Sequence, residues 1–445
     1  MPSASDRIAA LRSLISLLTD ASEAVIKEWK ATDARGVDGL ANASLPSPEL
    51  FDARRILIGA CNMCIDIVDD PLNRIMDINF AYTAGRALYL AVQTNIPDIL
   101  ENKPATEGIA VSELSRRIGA REAELGRMLR LLSTRGIFVE VRHDHFTNSH
   151  IGRVLVNNKP AQSMVLLAGM EPSFQIMQHL PAAVLDTTSA RTPFQRAMGV
   201  DIGYFDYFAQ DAKEEDGSLP KNPVLDIFSM AMLGYNQISS AALIADFPWA
   251  SQGNATVVDV GGGMGSMTMK LAKSFPHLQL VVQDLPATIE QAKAMWQVEY
   301  AEAIDTGRVR LMEHNFFAEQ PVKGADIYLL RFILHDWPDD KCIAILSRLR
   351  EAMSPGSRVL VADMLIHPTS GSASLKNAPK PLPANYGLPH LNKNYMDIVM
   401  FALYGGKERT PEQFAHNAEQ AGLKIEKIWE CRGPLSIIEM SSSRI

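Results

Sequence analysis

Apolar residues recur at helical spacing from the start of the chain. Ile8, Leu11, Ile15, Leu18 and Val25 share one face, which predicts an amphipathic helix over about 5–30 that needs a partner surface. Residues 33–48 turn to Gly, Ser, Asn and Pro and read as a loop. Helical periodicity resumes and predicts helices over 53–69 and 74–94, a short one over 111–118 and a longer one over 121–135. A small ribbon follows, Gly136–Val141 and Phe146–Thr147, turning near His143. Helix, turn, helix, ribbon is the winged-helix order. The chain is again helical from about 166 to 249, broken by a polar stretch at 211–223 that reads as a surface loop.

From Thr256 the texture changes. Short apolar runs at 256–260, 278–283, 309–312, 326–330 and 358–362 alternate with helical stretches such as 267–275 and 341–352. Strands alternating with helices imply a parallel sheet covered on both faces. The expected fold is therefore α/β: a Rossmann-like domain with a doubly wound sheet, preceded by a mainly helical winged-helix domain. The expected boundaries are 1–50 for an N-terminal helical extension, 51–160 for the winged-helix-like domain and 161–445 for the α/β domain.

At 445 residues, the chain has room for two or three domains, and its 47% hydrophobic and 21% charged residues suit a self-sufficient core. The formal net charge of −8 argues against nucleic acid, which demands a basic footprint. Arg121, Arg127, Arg130 and Arg135 on the second winged-helix element do not outweigh it. No attraction to anionic membranes is expected, no apolar run looks long enough to span a bilayer, and Met-Pro-Ser-Ala-Ser-Asp-Arg is no secretory signal. A soluble, cytoplasmic protein is expected. Four cysteines, Cys61, Cys64, Cys342 and Cys431, are too scattered for a disulfide framework. Cys61 and Cys64 form a C-x-x-C pair with no second pair or nearby histidine. They read as two buried thiols on a helix face, and no metal site is expected.

The strand 256–260 runs into Gly261-Gly262-Gly263-Met264-Gly265, and a helix starts at once. Open α/β sheets bind nucleotide-like ligands at such a turn, where a side chain would collide with the ligand or forbid the backbone. The spacing is G-x-G-x-G rather than the G-x-G-x-x-G of dinucleotide sites, and Asp259 immediately precedes it. Asp284 ends the next strand about twenty residues on, where an acid can accept bonds from both ribose hydroxyls.

With those residues in view, the sequence resembles the plant and fungal O-methyltransferases of the caffeic acid/flavonoid type, in a fungal-like branch. The resemblance rests on Val258-Asp-Val-Gly-Gly-Gly-Met-Gly265, Gln283-Asp-Leu-Pro286, Leu334-His-Asp-Trp-Pro338 and Gly405-Gly-Lys-Glu-Arg-Thr410. It implies S-adenosylmethionine (SAM) as cofactor, a small-molecule substrate, and a homodimer in which the winged-helix domain dimerises and helps close the partner's pocket. It places His335 as general base, flanked by Glu408 and by Asp363, where the plant form has glutamate. It places Asp259, Gly261, Gly262, Gly263, Gly265 and Asp284 around the cofactor. Asn315, where aspartate is common, falls near the adenine amine, Phe316 against the adenine, and Arg331 near the cofactor's backbone end. The helix carrying Met396, Met400, Phe401 and Tyr404 borders the substrate in that family.

The implied chemistry is self-consistent. A phenol has a pKa of roughly 10, so ionising it at pH 7 costs roughly 4 kcal/mol. A histidine within reach can take the proton as the methyl arrives, with an acid holding its far nitrogen. The expected reaction is O-methylation of an aromatic or polyketide-like hydroxyl. The alternative is a relative turned to dehydration or pericyclic cyclisation with SAM retained, which the unusually long, proline-rich segment 365–393 keeps open.

Overall fold

The computed structural model describes residues 3–34, 45–210 and 223–443. The loop expected at 211–223 lies almost wholly outside the described residues, as does most of the one expected at 33–48. By contact the chain divides into two units, Asp69–Gln237 and a second made of Met1–Val68 with Ile238–Ile445. That division cuts the chain at places other than 50/51 and 160/161.

Within Asp69–Gln237, the helix Pro71–Gln93 starts on Asp70, whose carboxylate accepts from the Leu72 N–H, with proline at the first helical position. Three short strands, β1 (Ile109–Ala110), β2 (Phe138–Arg142) and β3 (His145–Asn148), form an antiparallel sheet in the order β1-β3-β2. The helices Val111–Ile118 and Glu122–Thr134 lie between β1 and β2 in the chain. Leu114, Leu125, Leu129 and Leu132 from those helices bury against Phe138 and Phe146 of the ribbon. Arg130 pairs with Asp144 and Arg135 with Asp77, while Arg121 lies 3.6 Å from Glu124. Most of the arginines that a DNA reading would need are thus spent on acids of the same unit.

The second unit holds a seven-stranded sheet. Its strands are β4 (Thr256–Val260), β5 (Gln279–Asp284), β6 (Val309–Glu313), β7 (Ile327–Arg331), β8 (Arg358–Asp363), β9 (Leu423–Trp429) and β10 (Ser436–Ser442), ordered β6-β5-β4-β7-β8-β10-β9. The five expected strands are there and parallel. The last two were not expected, and β10 runs antiparallel to both its neighbours. Only β9, at the sheet edge, leaves a trace in the sequence, an alternation of Leu423 and Ile425 against Lys424 and Glu426 typical of a strand with one wet face.

Alternate strand residues feed two cores. Val257, Leu280, Val282 and Leu329 pack with Trp249 and Trp296 on one face. Val258, Val260, Val281 and Leu330 pack with Ile345, Leu349 and Phe414 on the other. The chain leaves β4 for β5 on one side and returns to β7 on the other. That reversal opens a crevice at the carboxyl ends of β4 and β7, where open α/β sheets bind ligands.

The first helices belong to this unit as well. Ala4–Ala34 and Pro48–Val68 pair with each other, and Leu14 and Ala60 bury against Ala378, Leu382 and Tyr386 of the long segment. A side chain at Gly59 would meet the Tyr386 carbonyl oxygen at 2.3 Å, so glycine permits this close approach. The long segment is therefore a bed under the helical pair, not a free loop.

Two expectations are corrected. Cys61 is exposed and Cys64 only partly covered, because that face of Pro48–Val68, with Ile58 and Ile65, is left uncovered among the described residues. One helix, Val224–Asp246, is long and apolar enough by composition to cross a membrane, contrary to the sequence reading. It carries buried Asn236, Ser239 and Ser240, polar groups that suit a core helix better than lipid.

Candidate active site

The glycine turn is shaped by backbone needs. Gly261, Gly263 and Gly265 have φ of 70°, 60° and 78°, a region that residues with a Cβ rarely enter. A Cβ at Gly265 would stand 2.8 Å from Trp296 Nε1, and one at Gly262 would stand 2.6 Å from the Asp259 carboxyl carbon. Gly263 differs, since nothing lies within 4 Å of its would-be Cβ. The turn therefore presses on the protein on two sides and is open at Gly263. Asp284 ends β5 and fastens the turn, accepting from Gly263 N–H at 2.9 Å and from Leu285 N–H at 2.8 Å. Each of its oxygens keeps a further lone pair.

Asp259 is buried beneath the turn and accepts from the Thr268 hydroxyl at 2.5 Å. Burial raises its pKa, opposed by the Thr268 hydrogen bond and the Arg331 charge. Arg331 ends β7, with its Nη1 buried and without a hydrogen-bond partner. Phe316 stacks edge-on against Phe317 and Trp337, with centroids at 4.9 and 6.0 Å, and borders Gly261. The side-chain Oδ1 of Asn315 already accepts from Phe317 N–H at 3.0 Å.

His335 sits just beyond β7 in a 3-10 turn, Leu334–Asp336. Its Nδ1 lies 2.9 Å from Glu408 Oε1, and its Nε2 lies 3.5 Å from Asp336 Oδ1. Phe332, at φ 56°, holds its ring 5.5 Å from the imidazole. A non-glycine residue in that region stores strain that the surroundings must hold. Gly406 permits the loop carrying Glu408 to approach, since a Cβ there would stand 2.0 Å from the His335 carbonyl oxygen. That same oxygen accepts from Lys407 N–H at 2.9 Å. Arg409 is buried and donates to the carbonyl oxygens of Leu334 at 2.8 Å and Trp337 at 2.7 Å, and to Asp339 at 2.9 Å. It fastens the histidine turn to the glutamate loop. Sequence reasoning quoted Arg409 within a motif but gave it no role, and it missed Asp336. The fixed step from His335 to Asp336 was the available signal.

Asp363, at the end of β8, is fully buried, and neither carboxylate oxygen has a hydrogen-bond partner. It bears on His335 through charge rather than through a hydrogen bond. Burial pushes Asp363 up to about 6 and Asp336 up to about 7, although the imidazolium opposes both. Burial also works against a charged His335. The Asp336 and Glu408 carboxylates outweigh it and lift the imidazole to about 10. Three carboxylates around one imidazole make a net-negative pocket with protons to share.

The helix Leu391–Tyr404 leads directly into the loop that carries Glu408. Met400 is buried, Met396 packs against the sheet core, and Phe401 and Tyr404 are half-buried. In Asp69–Gln237, Glu140, His143 and Asp144 converge at the ribbon turn closely enough for a metal ion. There Arg130 already pairs with both acids.

A buried imidazole–carboxylate pair past β7 and a glycine turn after β4 flank one crevice of an open α/β sheet, the place where such sheets bind nucleotide-like ligands. Comparison with known proteins makes the class specific. Residues 177–424 match the O-methyltransferase domain family and residues 76–158 the O-methyltransferase dimerisation domain. The chain is 38% identical to O-methyltransferase gedA of Aspergillus terreus, covering 98% of this chain and 97% of that one. Among solved structures it resembles mitomycin 7-O-methyltransferase MmcR at 26% identity and TM-score 0.66, over 83% of this chain and 97% of that one. It also resembles CalO1, a methyltransferase of calicheamicin biosynthesis solved with S-adenosylhomocysteine, at 25% identity and TM-score 0.64, over 84% and 99%. The chain belongs to the SAM-dependent O-methyltransferase family of secondary metabolism, with a helical dimerisation domain before a Rossmann-like catalytic domain.

Proposed function

We propose that the protein methylates a hydroxyl of an aromatic or polyketide-like small molecule, with His335 as general base. The observation that carries this reading is the 2.9 Å contact between His335 Nδ1 and Glu408 Oε1 inside a buried, net-negative pocket. Glu408 accepts a hydrogen bond from Nδ1–H and so leaves Nε2 as the acceptor for a substrate hydroxyl proton. Asp336, beside Nε2, stabilises the imidazolium that forms. Asp363 adds negative charge from below.

SAM fits the residues present. The turn is open only at Gly263, where a ligand can lie against backbone. Asp284 retains lone pairs for ribose hydroxyls. The orphaned Arg331 nitrogen suits a carboxylate, and Phe316 offers an aromatic face. When bound, SAM supplies an activated methyl and a positive charge. A cation in this pocket favours the carboxylates and disfavours the imidazolium, and so moves His335 back toward its basic form.

The dimerisation domain supports a homodimer. Leu72, Ile75, Ile78 and Tyr82 on Pro71–Gln93 are all more than half exposed and give it an apolar face to bury. Met396, Met400, Phe401 and Tyr404 form an adaptable wall for a flat substrate.

The test is mass spectrometry with methyl-labelled SAM and a panel of phenols and hydroxylated polyketides. Labelled product with stoichiometric S-adenosylhomocysteine is expected. An acceptor turned into an unlabelled isomer or dehydration product, with no S-adenosylhomocysteine, would overturn methyl transfer to it.

A further inference from the structure

A cavity of about 260 Å³ opens in the second unit, outside the residues of the catalytic cluster. Its walls come from the helix Pro48–Val68, the long segment, the first turn of Leu391–Tyr404 and the β9–β10 connection. The size falls just below that of drug-sized ligand pockets, which run from roughly 300 Å³ upward. It suits a single ring with one polar group.

Three side chains on its walls offer donors, Arg55, Lys393 and Asn385, and one of those donors, Arg55 Nε, is buried without a partner. The Arg55 guanidinium is stacked 4.1 Å over the Tyr386 ring and bonded to Asp52 at 2.5 Å, yet its Nε is buried and unpaired. Lys393 lines the cavity and makes no hydrogen bond or ion pair to the described residues. Burial and the nearby Arg55 charge pull it down to about 8, although Glu430 and Glu408 work the other way. The buried Asn385 accepts from Gly387 N–H at 3.0 Å through its oxygen, which leaves its amide nitrogen for the cavity.

The remaining polar side chains do not cancel this. His390 is held neutral, its pKa pushed down to about 3 by burial and by Lys393, and its Nε2 accepts from His367 N–H at 3.1 Å. His367 Nε2 lies 2.9 Å from the Asn377 oxygen. Burial pushes the Cys431 thiol up to about 12, so it stays neutral. Glu430 is the one acid on the wall. It accepts from Lys376 N–H at 2.8 Å and disfavours a dianion such as phosphate. A buried donor without a partner, as Arg55 Nε is, is costly unless something answers it.

We infer that this cavity is a second small-molecule site, selective for an aromatic monocarboxylate, in which Lys393, Arg55 Nε and the Asn385 amide hold the carboxylate and the apolar wall of Leu365, Leu375, Pro389 and Pro434 takes the ring. Its lining includes none of His335, Asp336, Asp363 and Glu408, and the inference stands whether or not the proposed substrate class is right. Lys393 is also within electrostatic reach of Glu408, so occupancy speaks to the catalytic cluster through charge. A bound carboxylate holds the ammonium form, so above about pH 8 binding takes up a proton.

The test is calorimetry on the full-length protein with benzoate and with benzamide, its neutral isostere. Benzoate is expected to bind at least tenfold more tightly than benzamide. Lys393→Met and, separately, Arg55→Met should each weaken benzoate at least tenfold while S-adenosylhomocysteine binding, the check on folding, is unchanged. His335→Ala should bind benzoate like the parent. Equal binding of the two probes, or no benzoate binding up to its solubility limit, overturns the proposal. So does loss of benzoate in His335→Ala, which would place it in the catalytic pocket.

Discussion

The two ends of the ligand crevice are built differently. Around β4 and β5 the polar groups are tied to backbone or to each other: Asp284 to two N–H groups, Asp259 to Thr268. Around β7 and β8 they are left in tension. Asp363 has no hydrogen-bond partner, and Glu408 uses only one of its oxygens. The first end is a cradle fixed by chain geometry, suited to holding a cofactor of constant shape. The second is a charge cluster whose protons can move, which binding alone does not require. A satisfied network rigidifies, whereas an unsatisfied one stores electrostatic energy that a ligand or a proton releases.

The comparison breaks first at His335. His335→Ala should lower turnover by about 10²–10⁴-fold, the usual worth of a positioned base. S-adenosylhomocysteine affinity should stay near the parent value, since the cradle does not involve His335. Retained turnover in a labelled-methyl assay would remove the proton-transfer role. A matching loss of cofactor affinity would mean the two ends are not separable.

At the cradle, Asp284→Ala should weaken SAM binding by about 10–100-fold, because it removes the tie on Gly263 and, on the proposed reading, the ribose acceptors with it. Calorimetry reads this directly, and unchanged affinity would displace Asp284 from the cofactor site. The effect should leave the pH profile of turnover at saturating SAM where it was.

The same contrast explains what could be read from sequence. The cradle is local. Asp259 to Gly265 are contiguous and Asp284 is one strand away, so strand-turn-helix reasoning reached them. The charge cluster joins residues 73 positions apart, and nothing in a linear pattern brings Glu408 to His335. Family resemblance supplied that pair, and packing through Gly406 and Arg409 explains it. The five parallel strands showed as near-continuous apolar runs. The antiparallel β9 and β10, read against a parallel template, did not register. The uncovered Cys61 was misread because apolar neighbours on a helix do not say whether a partner surface exists.

Glu408→Gln tests the tension by pH. With a folded pKa near 10 against an ordinary 6.5, the imidazolium's ion pairing stabilises the ligand-free fold fully below about pH 6.5 and is lost as pH rises toward 10. Removing the Glu408 charge should therefore move the acid limb of kcat/KM to lower pH. It should also cut turnover by about tenfold or more, since the tautomer is no longer held. An unmoved limb would show that Glu408 does not set the charge state of His335.

The smallest effect, and the most discriminating, belongs to Asp363. Its carboxyl pKa is raised in the fold, from an ordinary 3.8 to about 6. For a carboxylate that sign means a cost: the fold loses stability as pH climbs from about 4 to 6, and the loss persists above. Asp363→Asn keeps the shape and cannot ionise. Its buried amide carries its own penalty, but that penalty does not vary with pH. The difference in Tm between variant and parent should therefore move in favour of the variant from pH 4 to pH 8. The acid limb of turnover should shift slightly downward as one negative charge near His335 is lost. A Tm difference that is flat across this range would mean the carboxyl is satisfied in solution. The catalytic end would then be as settled as the cradle, and the contrast between the two ends would fall.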